Sequence, residues 1–214
     1  MTTLEYLTHG FLSRHSGDKE LLQKQLHWTL RVTVSLCFIG HGTWGLITKS
    51  GWLPFFASQG IEPELAWTLQ PLIGGFDLLM AFLILKKPSR AILMWMFLWA
   101  LWTAILRPLA GNLEKVQVDG VWMVQLAADS MHVAKMQTWE FWERAGNWGP
   151  PFILLLMGGT FALTKRDLFS PYKEPVLKES TIDTLFFLLR CCLALLLIGH
   201  AGWIWLRGGE ANAD

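Results

Sequence analysis

Long apolar runs separated by short polar loops dominate the chain. A helix needs roughly 20 mostly apolar residues to cross a bilayer core of about 30 Å. Five segments qualify or nearly do, and the pattern therefore predicts an all-α, polytopic membrane helical bundle of about five transmembrane helices. These segments lie at 29–48, 66–86, 91–110, 148–164 and 184–206.

Basic residues in the loops predict the orientation of these helices, because Lys and Arg accumulate on the cytoplasmic side of a membrane. Lys and Arg precede the first segment, and they recur between the second and third and between the fourth and fifth. The loop at 49–65 carries only Lys49. The N-terminal segment 1–28 is therefore expected to be cytoplasmic, and the C-terminus to lie outside. The first residues lack the pattern of a secretory signal, so we expect this segment to be retained.

The chain divides into the N-terminal segment, the first three helices at 29–110, a cap at 111–147, and the last two helices with the tail at 148–214. The cap is too long for a simple connection, so we expect it to be ordered on the outer face. Within it, Trp139 and Trp142 are spaced as in an amphipathic helix. Two interpretations stay open: a helix lying in the membrane interface, or a packed lid over something bound between the helices.

Composition supports the membrane assignment. Hydrophobic residues make up 52% of the chain and charged residues 16%, whereas about a quarter of the residues in soluble domains are charged. The net charge of +1 is spread thinly, so no basic patch favours nucleic acid. Lipid and other membrane-protein subunits are the expected partners. The three cysteines fall inside apolar runs without a C-x-x-C motif, which predicts buried thiols.

A repeat relates the first and last apolar segments. The stretch "LCFIGHGTW" at 36–44 aligns with "LLLIGHAGW" at 195–203, and the same offset aligns Arg31 with Arg190. Both helices run from inside to outside in the expected orientation, so His41 and His200 should lie at one depth. Asp77 in the second segment falls close to that plane. Ionisable residues at membrane depth are costly and indicate a functional site by default.

Four interpretations of these polar residues stay open. Two facing imidazoles can take both axial positions of a haem b iron, and two imidazoles with a carboxylate suit a divalent metal. A quinone site or proton relay would use His as a donor. The residues can also simply hold the helices together. No catalytic residue or metal ligand is assigned, and the candidate cofactor-binding set is His41, His200, Asp77, Gly42, Trp44 and Trp203.

Other polar positions are secondary candidates. Arg31 and Arg190 lie nearer the cytoplasm and are expected to snorkel to the headgroups. Arg107 is placed to snorkel outward or to pair with Glu140 or Glu143 of the cap. His132 in the cap either faces a bound ligand or is a solvated surface residue.

The run from Arg31 through "GHG" and "FFASQGIEP" to "GGFDLLMAFLILKKPSRA" resembles the DoxX-like family of small bacterial membrane proteins. The resemblance covers roughly 29–110 and implies a four-helix core in the bacterial cytoplasmic (inner) membrane, here extended by a fifth helix. Arg31, His41, Gly42 and Asp77 match the family pattern. Trp44 and then Lys49 follow the His-Gly pair, where the family often has a Lys.

Members of this family are associated with membrane redox work, including a subunit of a thiosulfate to quinone oxidoreductase. We therefore expect a redox-associated membrane subunit with a quinone or haem-like cofactor near His41, His200 and Asp77. The alternative is a non-catalytic accessory or structural subunit of a larger respiratory or photosynthetic complex, because the aromatic run "MWMFLWALW" suits lipid or subunit contact. A transporter or lipid-binding role comes third.

Overall fold

The structure is a computed structural model that describes residues 16–159, 164–172 and 176–210. Helices make up most of it, together with one 3₁₀ turn at Ser50–Trp52 and one antiparallel hairpin. The hairpin consists of β1 (Leu113–Val118) and β2 (Val121–Leu126). The helices are α1 (Ser16–Leu46), α2 (Leu53–Ala57), α3 (Pro63–Lys86), α4 (Arg90–Leu109), α5 (Ser130–Glu143), α6 (Ala145–Met157), α7 (Lys165–Phe169) and α8 (Glu179–Glu210).

Several of the helices are long and apolar enough to cross a membrane. In the described part of the chain, α3, α4 and the Glu179–Leu206 part of α8 meet this criterion. A fourth span results if Glu20–Leu46 and Ser50–Ala57, which are bent by 106° from one another, are taken together. The expectation of a mainly helical bundle is confirmed at this level. The hairpin is an addition that the apolar pattern does not predict.

The first and fourth predicted spans differ from the helices observed. Helix α1 begins at Ser16, well before the predicted start at 29. Helix α6 has 13 residues, or about 20 Å of helix, which is less than the thickness of a bilayer core. Residues 160–163 of the fourth segment, the N-terminal residues 1–15 and the tail 211–214 lie outside the described residues. The count of five spans and the orientation stay predictions.

Helices α1 and α3 cross in close backbone contact. A Cβ atom at Gly74 would lie 2.6 Å from the carbonyl oxygen of Gly42, and one at Gly45 would lie 2.8 Å from the Cα atom of Gly74. Any side chain at these positions would push the helices apart, so glycine lets the backbones touch. The crossing fixes the half of α1 that carries His41 against the half of α3 that carries Asp77.

Helix α6 is short but lies at the centre of the bundle. It packs against α1, α4 and α8, and Ile153, Leu154 and Met157 on it are fully buried. Helix α5 ends at Glu143 and α6 begins at Ala145, so only Arg144 separates them. Because α6 packs against α1, this junction lies next to the C-terminal part of α1. This position decides which polar side chains meet His41.

The predicted cap segment 111–147 contains the hairpin, α5 and the first residues of α6. Leu113 lies opposite Leu126 in the hairpin register, and the Lys115 Nζ atom donates a hydrogen bond of 2.7 Å to the Ser50 hydroxyl. Helix α5 packs against α8 and α4. The cap is thus attached both to the long helices and to the 3₁₀ turn that follows α1.

Candidate functional site

A cavity of about 310 Å³ lies between α1, α3 and α4 and beneath the segment that follows α1. This volume is within the range of natural small-molecule sites, which begin near 300 Å³. Aromatic rings supply much of its wall, and a few polar side chains face it. The lining residues are Trp52, Phe55, Phe56, Ile61, Leu69, Ile73, Trp99, Trp102 and Leu106, with the polar residues His41, Gln59, Asp77, Thr103 and Arg107.

The segment 49–61 covers one side of this cavity, and we call it the lid. It was expected to be a short loop, but it folds into the 3₁₀ turn and α2. The backbone has positive φ angles at both ends, 51° at Thr48 and 72° at Gly60. The Lys49 amide donates a hydrogen bond of 2.6 Å to the Gln70 side chain. The lid, and not α5, is therefore the element that closes the cavity, since no α5 residue lines it.

Asp77 is the most deeply buried ionisable group in the cavity wall, with 2% of its surface exposed. The Trp99 side chain lies beside its carboxyl group. Its Oδ1 atom has no hydrogen-bond partner among the described residues. A buried acceptor without a partner is costly, and a ligand in the cavity could supply the missing donor.

His41 is held by two side chains from the junction between α5 and α6. Its Nε2 atom lies 2.9 Å from the Arg144 Nη1 atom and 3.4 Å from the Asn147 Nδ2 atom. A guanidinium group can only donate, so Nε2 must accept. The ring proton is then on Nδ1, which makes His41 a neutral ring with one hydrogen-bond donor. Its ring centroid lies 6.3 Å from that of Trp52 in the lid.

Arg107 connects the cavity to both the lid and the cap. Its Nη1 atom pairs with the Glu140 carboxylate on α5 at 2.8 Å, and its Cζ atom lies 4.1 Å from the ring centroid of Phe55. Of the two alternatives from the sequence, pairing with the cap is the one found. The buried Nε atom of Arg107 has no hydrogen-bond partner within the described ranges, so it is a second unpaired polar group on a cavity-lining residue.

The structure does not bring His200 to this cavity. Its Nδ1 atom donates to the Glu143 carboxylate at 2.9 Å, and its ring stacks on Trp203 with 6.4 Å between centroids. Gly42 packs against α3. Trp44 lies on the exposed surface, and the Lys49 Nζ atom lies 3.5 Å from the centroid of its ring. Of the six candidate cofactor-binding residues, only His41 and Asp77 line the cavity.

This geometry does not fit a haem held by both histidines. The Nε2 atom of His41 is occupied by Arg144, and the His200 ring bonds to Glu143 away from the cavity. A divalent-metal site also finds no support, because no group of three or more His, Cys, Asp or Glu side chains among the described residues could hold a metal ion.

The secondary candidates lie outside the cavity, apart from Arg107. Arg31 is buried, and its Nε and Nη2 atoms donate to the backbone carbonyls of Ile84 and Leu85 at 2.9 and 2.6 Å. It therefore does not snorkel to the headgroups as expected, but binds the C-terminal end of α3. Arg190 is exposed on α8. His132 lies half-buried at the start of α5, where its amide donates to the Asp129 carboxylate.

Sequence reasoning missed several cavity residues. Trp99, Trp102 and Thr103 follow one face of α4. The aromatic run "MWMFLWALW", which contains both tryptophans and ends just before Thr103, was interpreted as lipid or subunit contact. Arg144 and Asn147 lie just before the Pro pair of the fourth apolar segment. Their position at the start of a mostly apolar helix could have indicated that they contact a polar group inside the bundle.

Comparisons with protein-family models, with curated proteins and with solved structures give no significant match for this chain. The resemblance to the DoxX-like family therefore stays a prediction.

Proposed function

We propose that this protein is a redox-associated subunit of the bacterial cytoplasmic membrane that binds a quinone-class molecule in the cavity beneath the lid. The observation that carries the proposal is an aromatic cavity faced by polar groups. Two of these, the Asp77 Oδ1 atom and the Arg107 Nε atom, have no hydrogen-bond partner in the part of the chain that the structure describes. His41, Asp77 and Arg107 come from three different helices and line this one cavity.

The exposed surface of the long helices supports the membrane location. Large apolar side chains lie exposed on α1, α3, α4 and α8, and soluble proteins rarely expose apolar surface over several neighbouring elements. A bilayer covers such surface at no cost. Representative exposed residues are Leu36, Ile39, Leu72, Phe82, Leu98, Leu197 and Ile198.

The lining suits a flat ring that carries oxygen atoms. Trp52, Phe55 and Trp102 offer rings against which an aromatic or quinoid ring can pack. The Nδ1 donor of His41 and the Nε donor of Arg107 can each bond a ring oxygen. Natural sites for hydrophobic ligands combine apolar walls with a few polar groups in this way.

A quinone-class molecule carries electrons itself, so the protein would contribute binding, orientation and exclusion of water. No residue of the chain is assigned a catalytic role. The electrons would come from another subunit in the same membrane, which is the arrangement that the DoxX-like resemblance implies. Lipid and such a subunit are the partners that the proposal requires.

The test fills the cavity and asks whether the ligand is lost. Thr103 lines the cavity, so Thr103→Phe should exclude a ring, whereas Thr184→Phe places the same side chain at an exposed position on α8. Both variants would be purified in mild detergent, and their organic extracts analysed for quinones by chromatography. We expect quinone in the wild type and in Thr184→Phe, and loss of most of it in Thr103→Phe.

Equal quinone content in Thr103→Phe and Thr184→Phe would contradict binding in this cavity. Absence of quinone from all three proteins, together with purification as part of a larger complex, would favour the accessory-subunit alternative.

A further inference from the structure

We propose that the cavity selects the reduced, hydroxyl-bearing form of its ligand over the oxidised dione form. This inference rests on the proposed function and adds the redox state that the site prefers. The selectivity comes from Asp77, whose Oδ1 atom is a buried acceptor without a donor among the described residues.

The two redox forms of a quinone differ in hydrogen-bonding capacity. The oxidised ring has two carbonyl oxygens, which only accept, whereas each hydroxyl of the reduced ring both donates and accepts. When Asp77 is ionised, its carboxylate can accept from a hydroxyl but has no hydrogen to donate to a carbonyl. A dione bound in the cavity would leave the Asp77 oxygen unsatisfied, and a buried unsatisfied acceptor weakens binding.

His41 strengthens this selectivity because it lies at the same end of the cavity. His41 and Asp77 both also line a small adjoining void next to Cys37 and Asn147. Arg144 fixes the ring proton of His41 on Nδ1, as its 2.9 Å contact with Nε2 requires. One ligand hydroxyl can therefore accept from His41 and donate to Asp77. A carbonyl in that place would accept from His41 and face the Asp77 oxygen with no hydrogen between them.

Arg107 does not discriminate between the two forms. Its unpaired Nε atom is a donor, and both a carbonyl and a hydroxyl oxygen can accept from it. The preference should therefore depend on Asp77 and not on the guanidinium group at Arg107.

The experiment measures the affinity of both forms directly. The full chain in lipid nanodiscs would be titrated in a calorimeter, without oxygen and at pH 8, with 2,3-dimethoxy-5-methyl-1,4-benzoquinone and with its dithionite-reduced form. We expect the reduced form to bind about tenfold more tightly, as the loss of one buried hydrogen bond predicts. Asp77→Asn supplies an amide donor and should bring the ratio close to one. Asp183→Asn, at an exposed position on α8, should keep the wild-type ratio.

Equal affinities, or tighter binding of the dione by the wild type, would overturn the selectivity and leave the proposed function intact. Failure of both forms to bind would contradict the proposed function as well. The wild-type ratio decides the question even if Asp77→Asn does not fold.

Discussion

The two copies of the repeat have the same motif and different surroundings. His41 on α1 and His200 on α8 bond to consecutive residues at the junction of α5 and α6, Arg144 and Glu143. His41 accepts a hydrogen bond from a guanidinium group, whereas His200 donates one to a carboxylate. His41 lines a cavity, while the side chain of His200 is 52% exposed.

The two copies distinguish the role of the repeated sequence in helix packing from the role of the helices that surround each histidine. A glycine next to each histidine meets another backbone closely, but at different positions of the repeat. Gly42, which aligns with Ala201, meets α3, and Gly199, which aligns with Gly40, meets the end of α5. Each copy therefore packs its helix closely against a neighbour, but through a different glycine. Of the two histidines, His41 is the one that lines a cavity, because α3, α4 and the lid enclose α1 there, whereas α8 packs mainly on α5 and α6.

The largest effect should come from filling the close backbone contact that each copy makes through its own glycine. A Cβ atom at Gly42 would lie 2.7 Å from the Gly74 carbonyl oxygen, and one at Gly199 would meet the Glu143 backbone. We expect Gly42→Val and Gly199→Val each to lower the free energy of unfolding by about 3 kcal/mol, because backbone atoms cannot move aside. Denaturant titration in mixed micelles measures it.

Gly40→Val is the matched control, because a Cβ atom at Gly40 meets nothing within 4 Å. If all three substitutions lowered the free energy of unfolding by similar amounts, the low helix propensity of valine, and not the close backbone contacts, would explain the losses.

A smaller effect should distinguish the two arginines of the repeat. Arg31 is buried and donates to two carbonyls at the end of α3, whereas Arg190 is exposed. Arg31→Met should lower the free energy of unfolding by about 2 kcal/mol, since hydrogen bonds from charged groups are worth that much. Arg190→Met should change it by less than about 0.5 kcal/mol. Equal losses in the same titration would mean that Arg31 acts through its apolar stem alone.

The helices were predictable because their signals are local. The predicted segments 66–86 and 91–110 correspond closely to α3 and α4, since apolar length and flanking turns are properties of the nearby sequence. The close α1–α3 crossing was not predicted, although Gly42 and Gly74 were visible. Small residues allow a close contact, but the sequence does not say which helix they meet.

The site was harder to predict because depth alone does not determine which side chains meet. Equal depth suggested that His41, His200 and Asp77 would lie together, but rotation about the helix axis turns His200 towards Glu143. Arg144 lies far from His41 in sequence, and only the packing of α6 brings them together. The lid depends on a sharp turn at Thr48, whose positive φ carries no glycine signal.

A smaller loss of stability than that of Arg31→Met is expected on replacing the histidines themselves, and this comparison best separates their roles. His41→Phe removes the acceptor for Arg144 and should cost about 1 kcal/mol, and it should also abolish quinone retention because the Nδ1 donor is lost. His200→Phe breaks an exposed pair worth at most about 1 kcal/mol and should leave the extracted quinone unchanged. Loss of quinone from both variants would mean that α8 contributes to the site, and that the cavity beneath the lid is only part of it.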